Sequence, residues 1–169
     1  LGFACLPQLK EEAGFTGNYG LYDQMTALKW IQNNISSFGG NPENVTIMGQ
    51  SAGAMSVQQQ CVSSLTDGLF SKAVMSSGGG LSPMFELRET SEDRYSFWQE
   101  VMKHSGCESL EEFRNLEPQK LFESWQAIKK QDPKYAMVDS PCIDGRFLTS
   151  STSEVVNKGN HKNIPYMMG

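Results

Sequence analysis

A five-residue stretch, residues 49–53, carries the residue types of covalent catalysis. It reads Gly-Gln-Ser-Ala-Gly and fits the G-x-S-x-G pattern, in which a sharp strand-to-helix turn lifts a serine out of a sheet with its Oγ exposed. Such a turn also places Ser51 at a helix N-terminus, where unpaired N–H groups favour a developing oxyanion. We therefore predict Ser51 as a nucleophile and the N–H of Ala52 as the first oxyanion donor. Side chains larger than glycine at 49 and 53 are expected to collide with the neighbouring strand or helix.

The sequence around this motif predicts the elements that would position it. Residues 45–48 (Val-Thr-Ile-Met) predict a buried strand before the serine, and a helix pattern follows from 52 to about 63. Apolar side chains at helical spacing over 18–38 predict an earlier helix, and residues 72–77 predict a second short strand. This alternation of helix and strand indicates an α/β fold with a mostly parallel sheet. The alternative is a Gly/Ser-rich turn that has no function.

The second half of the chain changes in character. Residues 91–131 are polar with apolar positions typical of several short helices, Asp144-Gly145 is a strong turn signal, and 164–168 predict a last strand. We expect one partial domain in three parts: a sheet-and-helix core with the serine turn, a helical insertion, and a return to the sheet, over 1–80, 81–136 and 137–169.

Length and charge exclude several classes of protein. The 169 residues correspond to about one domain. The net charge is -5, with 14 Lys and Arg against 19 Asp and Glu, which argues against a nucleic-acid partner and against attachment to an anionic membrane. No apolar run approaches the ~20 residues of a membrane span. The chain begins at Leu1 and ends in an apolar, strand-like run, so we expect it to be a segment of a longer protein.

The four cysteines, Cys5, Cys61, Cys107 and Cys142, are far apart and form no C-x-x-C pair. This spacing argues against a structural zinc site. Two interpretations stay open: two disulfides, or small buried apolar side chains. We predict no metal and no cofactor.

Several blocks of the sequence together resemble the type-B carboxylesterases, the group that includes cholinesterases, lipases and bacterial p-nitrobenzyl esterases. The most specific block is 18–53, with Asn-Tyr-Gly-Leu at 18–21, Phe-Gly-Gly-Asn-Pro at 38–42 and the serine motif. The match continues through Leu69-Phe70, Ser77-Gly78, 143–148 and 164–169, and only 91–131 is weakly matched.

The resemblance implies an α/β-hydrolase fold and ester hydrolysis through a covalent acyl-enzyme on Ser51. It also implies that the glycine-rich oxyanion loop precedes residue 1 and that the triad acid and then the histidine follow residue 169. His104 and His161 precede that acid, so we interpret both as surface histidines. Remaining segments of the same enzyme are expected to pack against this one.

Two departures from the family pattern bear on the substrate. Gln50 stands where the family often has Glu before the nucleophile, which disfavours a cationic, choline-like ester. Met84 falls where cholinesterase-like members carry an acyl-pocket tryptophan, and it would leave a pliable apolar pocket. We therefore expect a small neutral ester. Ser77 matches a serine that supports the site in the family; the alternative is a strand-end serine bonded to local backbone.

The resemblance also bears on origin and on a competing function. Secreted eukaryotic members often pair a cysteine near Cys107 with one in a following Cys-Leu-Arg stretch, which here reads Glu112-Phe113-Arg114. The missing partner favours a bacterial protein from a reducing compartment, the cytoplasm. A non-catalytic cholinesterase-like adhesion protein is the alternative function. The intact serine between two glycines favours the enzyme.

Overall fold

A computed structural model describes residues 2–81 and 86–169, which divide into two compact units. Leu1–Tyr19 group with Glu89–Asp144, and Gly20–Arg88 group with Gly145–Gly169. The first is a helical unit and the second contains the sheet. The division of the chain at residues 80 and 136 stays a prediction. In the described part of the chain, no helix is both long enough and apolar enough to cross a bilayer.

The sheet of the second unit has three parallel strands in the order β1-β2-β3. They are β1 (Thr46–Gln50), β2 (Lys72–Ser76) and β3 (Tyr166–Met168). Gln50 lies opposite Ser76, and Met75 lies opposite Met168, so the carboxyl ends of all three strands meet at one edge. The predicted α/β fold with a parallel sheet is confirmed. The last strand is shorter than the predicted 164–168.

Helices surround the sheet in the order that the sequence predicts. The helix α2 (Tyr19–Asn34) precedes β1, and α3 (Ala52–Val62) connects β1 to β2. The buried side chains between these helices and the sheet form one apolar cluster of Leu28, Ala54, Val57, Cys61, Phe70, Ala73 and Met75. A short helix of six residues, Thr152–Asn157, lies between β2 and β3 in the chain.

Two predicted elements differ in detail. The helix predicted over 18–38 is α-helical only to Asn34, because Ile35–Phe38 tighten into a 3-10 turn that ends at Gly39 in the left-handed conformation. The first strand starts at Thr46 and is not buried as predicted. In the described residues β1 is hydrogen-bonded to β2 alone, and Met48 on its outer face is 77% exposed.

The helical unit confirms the prediction of several short helices. It contains α1 (Pro7–Ala13), α4 (Tyr95–His104), α5 (Leu110–Arg114) and α6 (Pro118–Lys129). Their apolar faces bury a cluster that includes Phe97, Trp98, Val101, Phe113 and Ile128. The amphipathic spacing in the sequence is what buries one face of α4 and one face of α6.

Two cysteines meet inside this helical unit. The sulfurs of Cys5 and Cys142 lie 3.8 Å apart, both side chains are fully buried, and both are free thiols. Asn18 fixes the backbone of Cys142 by donating to its carbonyl at 2.7 Å and accepting from its N–H at 3.0 Å. Gly17, at φ +88°, lies against both sulfurs. The structure therefore favours the interpretation of these cysteines as small buried apolar groups.

Candidate active site

Ser51 occupies a single-residue turn between β1, which ends at Gln50, and α3, which begins at Ala52. Its backbone has φ 53° and ψ -119°. A positive φ is uncommon for a residue with a side chain and costs of order 1–3 kcal/mol, so surrounding contacts must hold it. The N–H of Ser51 donates to Ser76 at 2.9 Å, and its carbonyl accepts from Met55 at 3.1 Å. The predicted sharp turn with an exposed serine is present.

Gly49 allows this turn to close. A Cβ at position 49 would lie 2.3 Å from the carbonyl oxygen of Gly53 and 2.7 Å from the nitrogen of Ala54, far inside van der Waals contact. The collision predicted at position 49 is therefore confirmed. The collision predicted at position 53 is wrong for the described residues, because a Cβ there would meet no atom within 4 Å. Gly49 therefore lies against the backbone of Gly53, whereas the space that a Cβ would occupy on residue 53 is empty.

The N-terminus of α3 lies directly at the serine. Ala52 is the first residue of the helix and is exposed, so its N–H has no partner within the helix. The hydroxyl of Ser51 makes no capping hydrogen bond to the first turn of α3. The Oγ is therefore not used to cap the helix. The partial positive charge of the N-terminus of α3 lies beside Ser51.

Gly78 also contributes to the serine turn, through a close contact that the sequence did not predict. A Cβ at position 78 would lie 2.6 Å from the carbonyl oxygen of Ser51 and 3.1 Å from the Cβ of Ala54. The loop after β2 therefore packs directly on the backbone of the serine turn. The signal in the sequence is the run Gly78-Gly79-Gly80 directly after the predicted strand of residues 72–77.

The remaining predicted site residues have different placements. Gln50 is exposed at the end of β1. Ser77 is exposed after β2, has a positive φ of 51° like the serine turn, and donates its N–H to the carbonyl of Gly169. The predicted pocket residue Met84 lies outside the described residues.

Within the sheet unit, His161 is not placed as a base for Ser51. His161 is exposed and its ring centroid is 6.4 Å from that of Tyr166, the first residue of β3. It therefore lies at the amino ends of the parallel strands, whereas Ser51 lies at their carboxyl ends. His104 is exposed at the end of α4 in the helical unit. The prediction that both are surface histidines is confirmed.

A mainly apolar cavity of about 220 Å³ lies beside the sheet. Its walls include Gln58, Cys61, Met75, Gly80 and Tyr166. Burial raises the pKa of the Cys61 thiol to about 11 and that of the Tyr166 phenol to about 12. These groups are therefore neutral at physiological pH, which fits an apolar environment.

A parallel α/β sheet with a serine on a left-handed turn between a strand and the next helix defines the class of the α/β-hydrolases. The family model described as the carboxylesterase family matches residues 1–169 in full. The chain belongs to the carboxylesterase family, and the resemblance seen in the sequence is confirmed.

Individual relatives agree with this assignment. The chain is 37% identical to a pyrethroid hydrolase (Ces2e) of Rattus norvegicus over 90% of its own length and 26% of the relative. It is 32% identical to a fumonisin B1 esterase of Sphingopyxis macrogoltabida over 100% of its length and 30% of the relative. Among solved structures, a thermophilic PNB esterase superposes with a TM-score of 0.84 at 29% identity, covering 99% of this chain and 34% of that one. The chain thus spans about a third or less of each of these three proteins.

Proposed function

We propose that the protein containing this chain hydrolyses carboxylic esters through a serine acyl-enzyme intermediate. The observation that carries the proposal is the geometry of Ser51, an exposed serine at φ 53° whose hydroxyl makes no bond to the helix that follows. A serine held in a strained turn has its position fixed by the backbone, and its exposed side chain is open to a substrate. Family membership supports the same reaction.

In this mechanism the Oγ of Ser51 attacks the ester carbonyl carbon, and the alcohol leaves to give the acyl-enzyme. The N–H of Ala52 donates to the oxyanion of the tetrahedral intermediate, assisted by the end of α3. A base must accept the hydroxyl proton, because serine is a weak nucleophile at neutral pH. We assign this base to a histidine, and we place that histidine, its acid partner and the other oxyanion donors in segments of the same enzyme outside residues 1–169.

The substrate class follows from two side chains. Gln50, next to the nucleophile, is exposed and uncharged, so it offers hydrogen bonds without attracting a cation. Met84 would add a pliable apolar wall. We infer a small neutral ester with a short acyl chain. Ser77 would support the site through its strand-end position beside the serine turn. A non-catalytic adhesion role is favoured by no observation.

The origin of the protein is a separate inference. Glu112 occupies the place where secreted relatives are expected to carry a cysteine partner, and it is exposed, with its carboxylate accepting a hydrogen bond from the N–H of Glu108 at 2.8 Å. Cys107 instead accepts a hydrogen bond from the hydroxyl of Ser105 at 3.4 Å. We infer a bacterial protein of the reducing cytoplasm, which fractionation of the source cells with an antibody against the chain would test.

The proposed reaction is tested on the full-length enzyme with p-nitrophenyl acetate and butyrate, with an acylated choline for comparison. Ser51→Ala is expected to lower kcat by ~10⁶ and to abolish labelling by a fluorophosphonate. Ser36→Ala, at an exposed serine remote from the turn in sequence, is the matched control and keeps both. Activity of Ser51→Ala within tenfold of the wild type would point to another nucleophile. A preference for the choline ester would refute the substrate class alone.

A further inference from the structure

A side chain on α3, the helix that follows Ser51, is hydrogen-bonded to the loop after β2. Gln58 lies on α3 and is only 9% exposed. Its Nε2 donates to the carbonyl of Gly80 at 3.0 Å. Its Oε1 would lie 3.0 Å from a Cβ at position 79, so the amide also lies next to Gly79. One side chain therefore bonds to Gly80 and lies beside the residue before it.

The same loop touches the serine turn at its other end. Gly78 lies so close to Ser51 that a Cβ would come within 2.6 Å of the serine carbonyl oxygen. Gly79 and Gly80 both have positive φ, 80° and 84°, a backbone conformation that glycine adopts at little cost. Because glycine has no side chain, these residues make no side-chain contacts that would fix the loop. A loop of three glycines has high conformational entropy when free. An outside contact is needed to keep it against the serine.

We propose that Gln58 is a positioning residue, which ties the loop of residues 78–80 to α3 and thereby holds that loop against the backbone of Ser51. The inference rests on the proposed function, because it assigns Gln58 a role in the geometry of that same nucleophile. The amide lies in the wall of the apolar cavity beside Cys61 and Met75, and its side chain is largely buried, which strengthens its hydrogen bond. Gln58 does not touch the substrate; it acts through the glycine loop.

The neighbouring residue provides a matched control. Gln59 is also buried on α3, but in the described part of the chain its side chain bonds to Thr152 at 3.5 Å and not to the glycine loop. Gln58→Leu and Gln59→Leu both remove one buried amide from the same helix. Any difference between the two variants in the rate of turnover therefore reports on the loop and not on the loss of a buried polar group.

The experiment uses the full-length enzyme. The number of reactive serines in each preparation is first measured by fluorophosphonate labelling of a separate sample. Gln58→Leu is expected to lower kcat per labelled site by about tenfold, with KM changed by less than about twofold, because a misplaced nucleophile slows chemistry more than binding. Gln59→Leu is expected to keep kcat. Equal kcat values for the two variants would overturn the inference. A wild-type enzyme that is not labelled at Ser51 would instead overturn the proposed function.

A second variant covers the case in which Gln58→Leu does not fold. Gln58→Glu keeps the length of the side chain, but its ionised carboxylate cannot donate to Gly80, whereas the protonated acid can. The ratio of its kcat to that of the wild type is expected to rise as the pH falls from 9 to about 6, since burial raises the pKa of a carboxyl group. A ratio that is independent of pH would contradict the role of this hydrogen bond.

Discussion

The amide nitrogen of Ser51 donates a hydrogen bond to the carbonyl oxygen of Ser76, 2.9 Å away. This bond continues the ladder between β1 and β2 by one residue beyond the last paired position, where Gln50 lies opposite Ser76. The serine is therefore attached to the sheet on one side and to α3 on the other. Its positive φ is held by this double attachment, and both attachments depend on glycines that leave room for close backbone contact.

The glycines of the serine motif are predicted to differ in their tolerance of a methyl group. Gly49→Ala places a Cβ 2.3 Å from the backbone of Gly53 and is expected to lower the free energy of unfolding by about 3 kcal/mol or more. Gly53→Ala meets open space in the described residues and improves helix propensity, so stability should change by less than ~1 kcal/mol. Urea unfolding of the two variants measures the difference. Similar losses for both would mean that position 53 is as crowded as position 49.

Residues 1–169 expressed alone are predicted to turn over p-nitrophenyl acetate no faster than a Ser51→Ala control. The serine stays protonated unless a base accepts its proton, and His161, in the same unit, lies at the opposite ends of the strands. One missing oxyanion donor would by itself cost ~10²–10³ in rate. The check is an initial-rate assay on the purified segment with mass spectrometry of its size. An ordinary esterase rate that disappears in His161→Ala would show that this histidine completes a site.

The stability of the sheet unit is predicted to fall at alkaline pH partly through Cys61. Burial raises the pKa of this thiol from 9.0 to about 11, so the unfolded chain releases a proton between these values while the folded chain keeps it. The contribution is fully present below pH 9 and is lost as the pH rises through about 11. Two pKa units correspond to roughly 2–3 kcal/mol. Unfolding of the wild type and Cys61→Ala at several pH values gives the two slopes, and the variant should show the shallower decline. Identical slopes would exclude this thiol as a source of the pH dependence.

Gly17 is predicted to be much less replaceable than Gly14, although both have positive φ. A Cβ at Gly17 would lie 2.9 Å from the sulfur of Cys142 and 3.0 Å from that of Cys5, whereas a Cβ at Gly14 meets nothing within 4 Å. Gly14→Ala should therefore cost only the backbone term of about 1–2 kcal/mol, and Gly17→Ala about 1–3 kcal/mol more.

A double-mutant cycle separates these two costs. In a Cys142→Ala background the sulfur is gone, so the added cost of Gly17→Ala should shrink towards that of Gly14→Ala. Thermal or urea unfolding of the four proteins measures the coupling. Strict additivity would show that contact with the sulfur of Cys142 contributes nothing to the requirement for glycine.

The sequence by itself determined the local features of the site. The strand pattern, the G-x-S-x-G spacing and the helix pattern after it specify a strand-turn-helix, and the structure places Ser51 in that turn with the expected exposed side chain. The alternation of elements was enough for an α/β fold with a parallel sheet. These features depend on residues within a few positions of one another, whose spacing in sequence fixes their spacing in space.

Only the tertiary structure decided which distant residues meet the serine turn. Gly78 packs on Ser51 because β2 lies beside β1 in one register. His161 lies away from Ser51 because β3 runs parallel to β1 and β2, which places the residues before β3 at the opposite edge of the sheet. The open space at Gly53 and the exposure of β1 likewise differ from expectation. Strand order and register set these contacts between residues that are remote in the chain. Hydrophobic periodicity in the sequence indicates which face of a helix or strand is apolar, but it does not indicate which other element packs on that face.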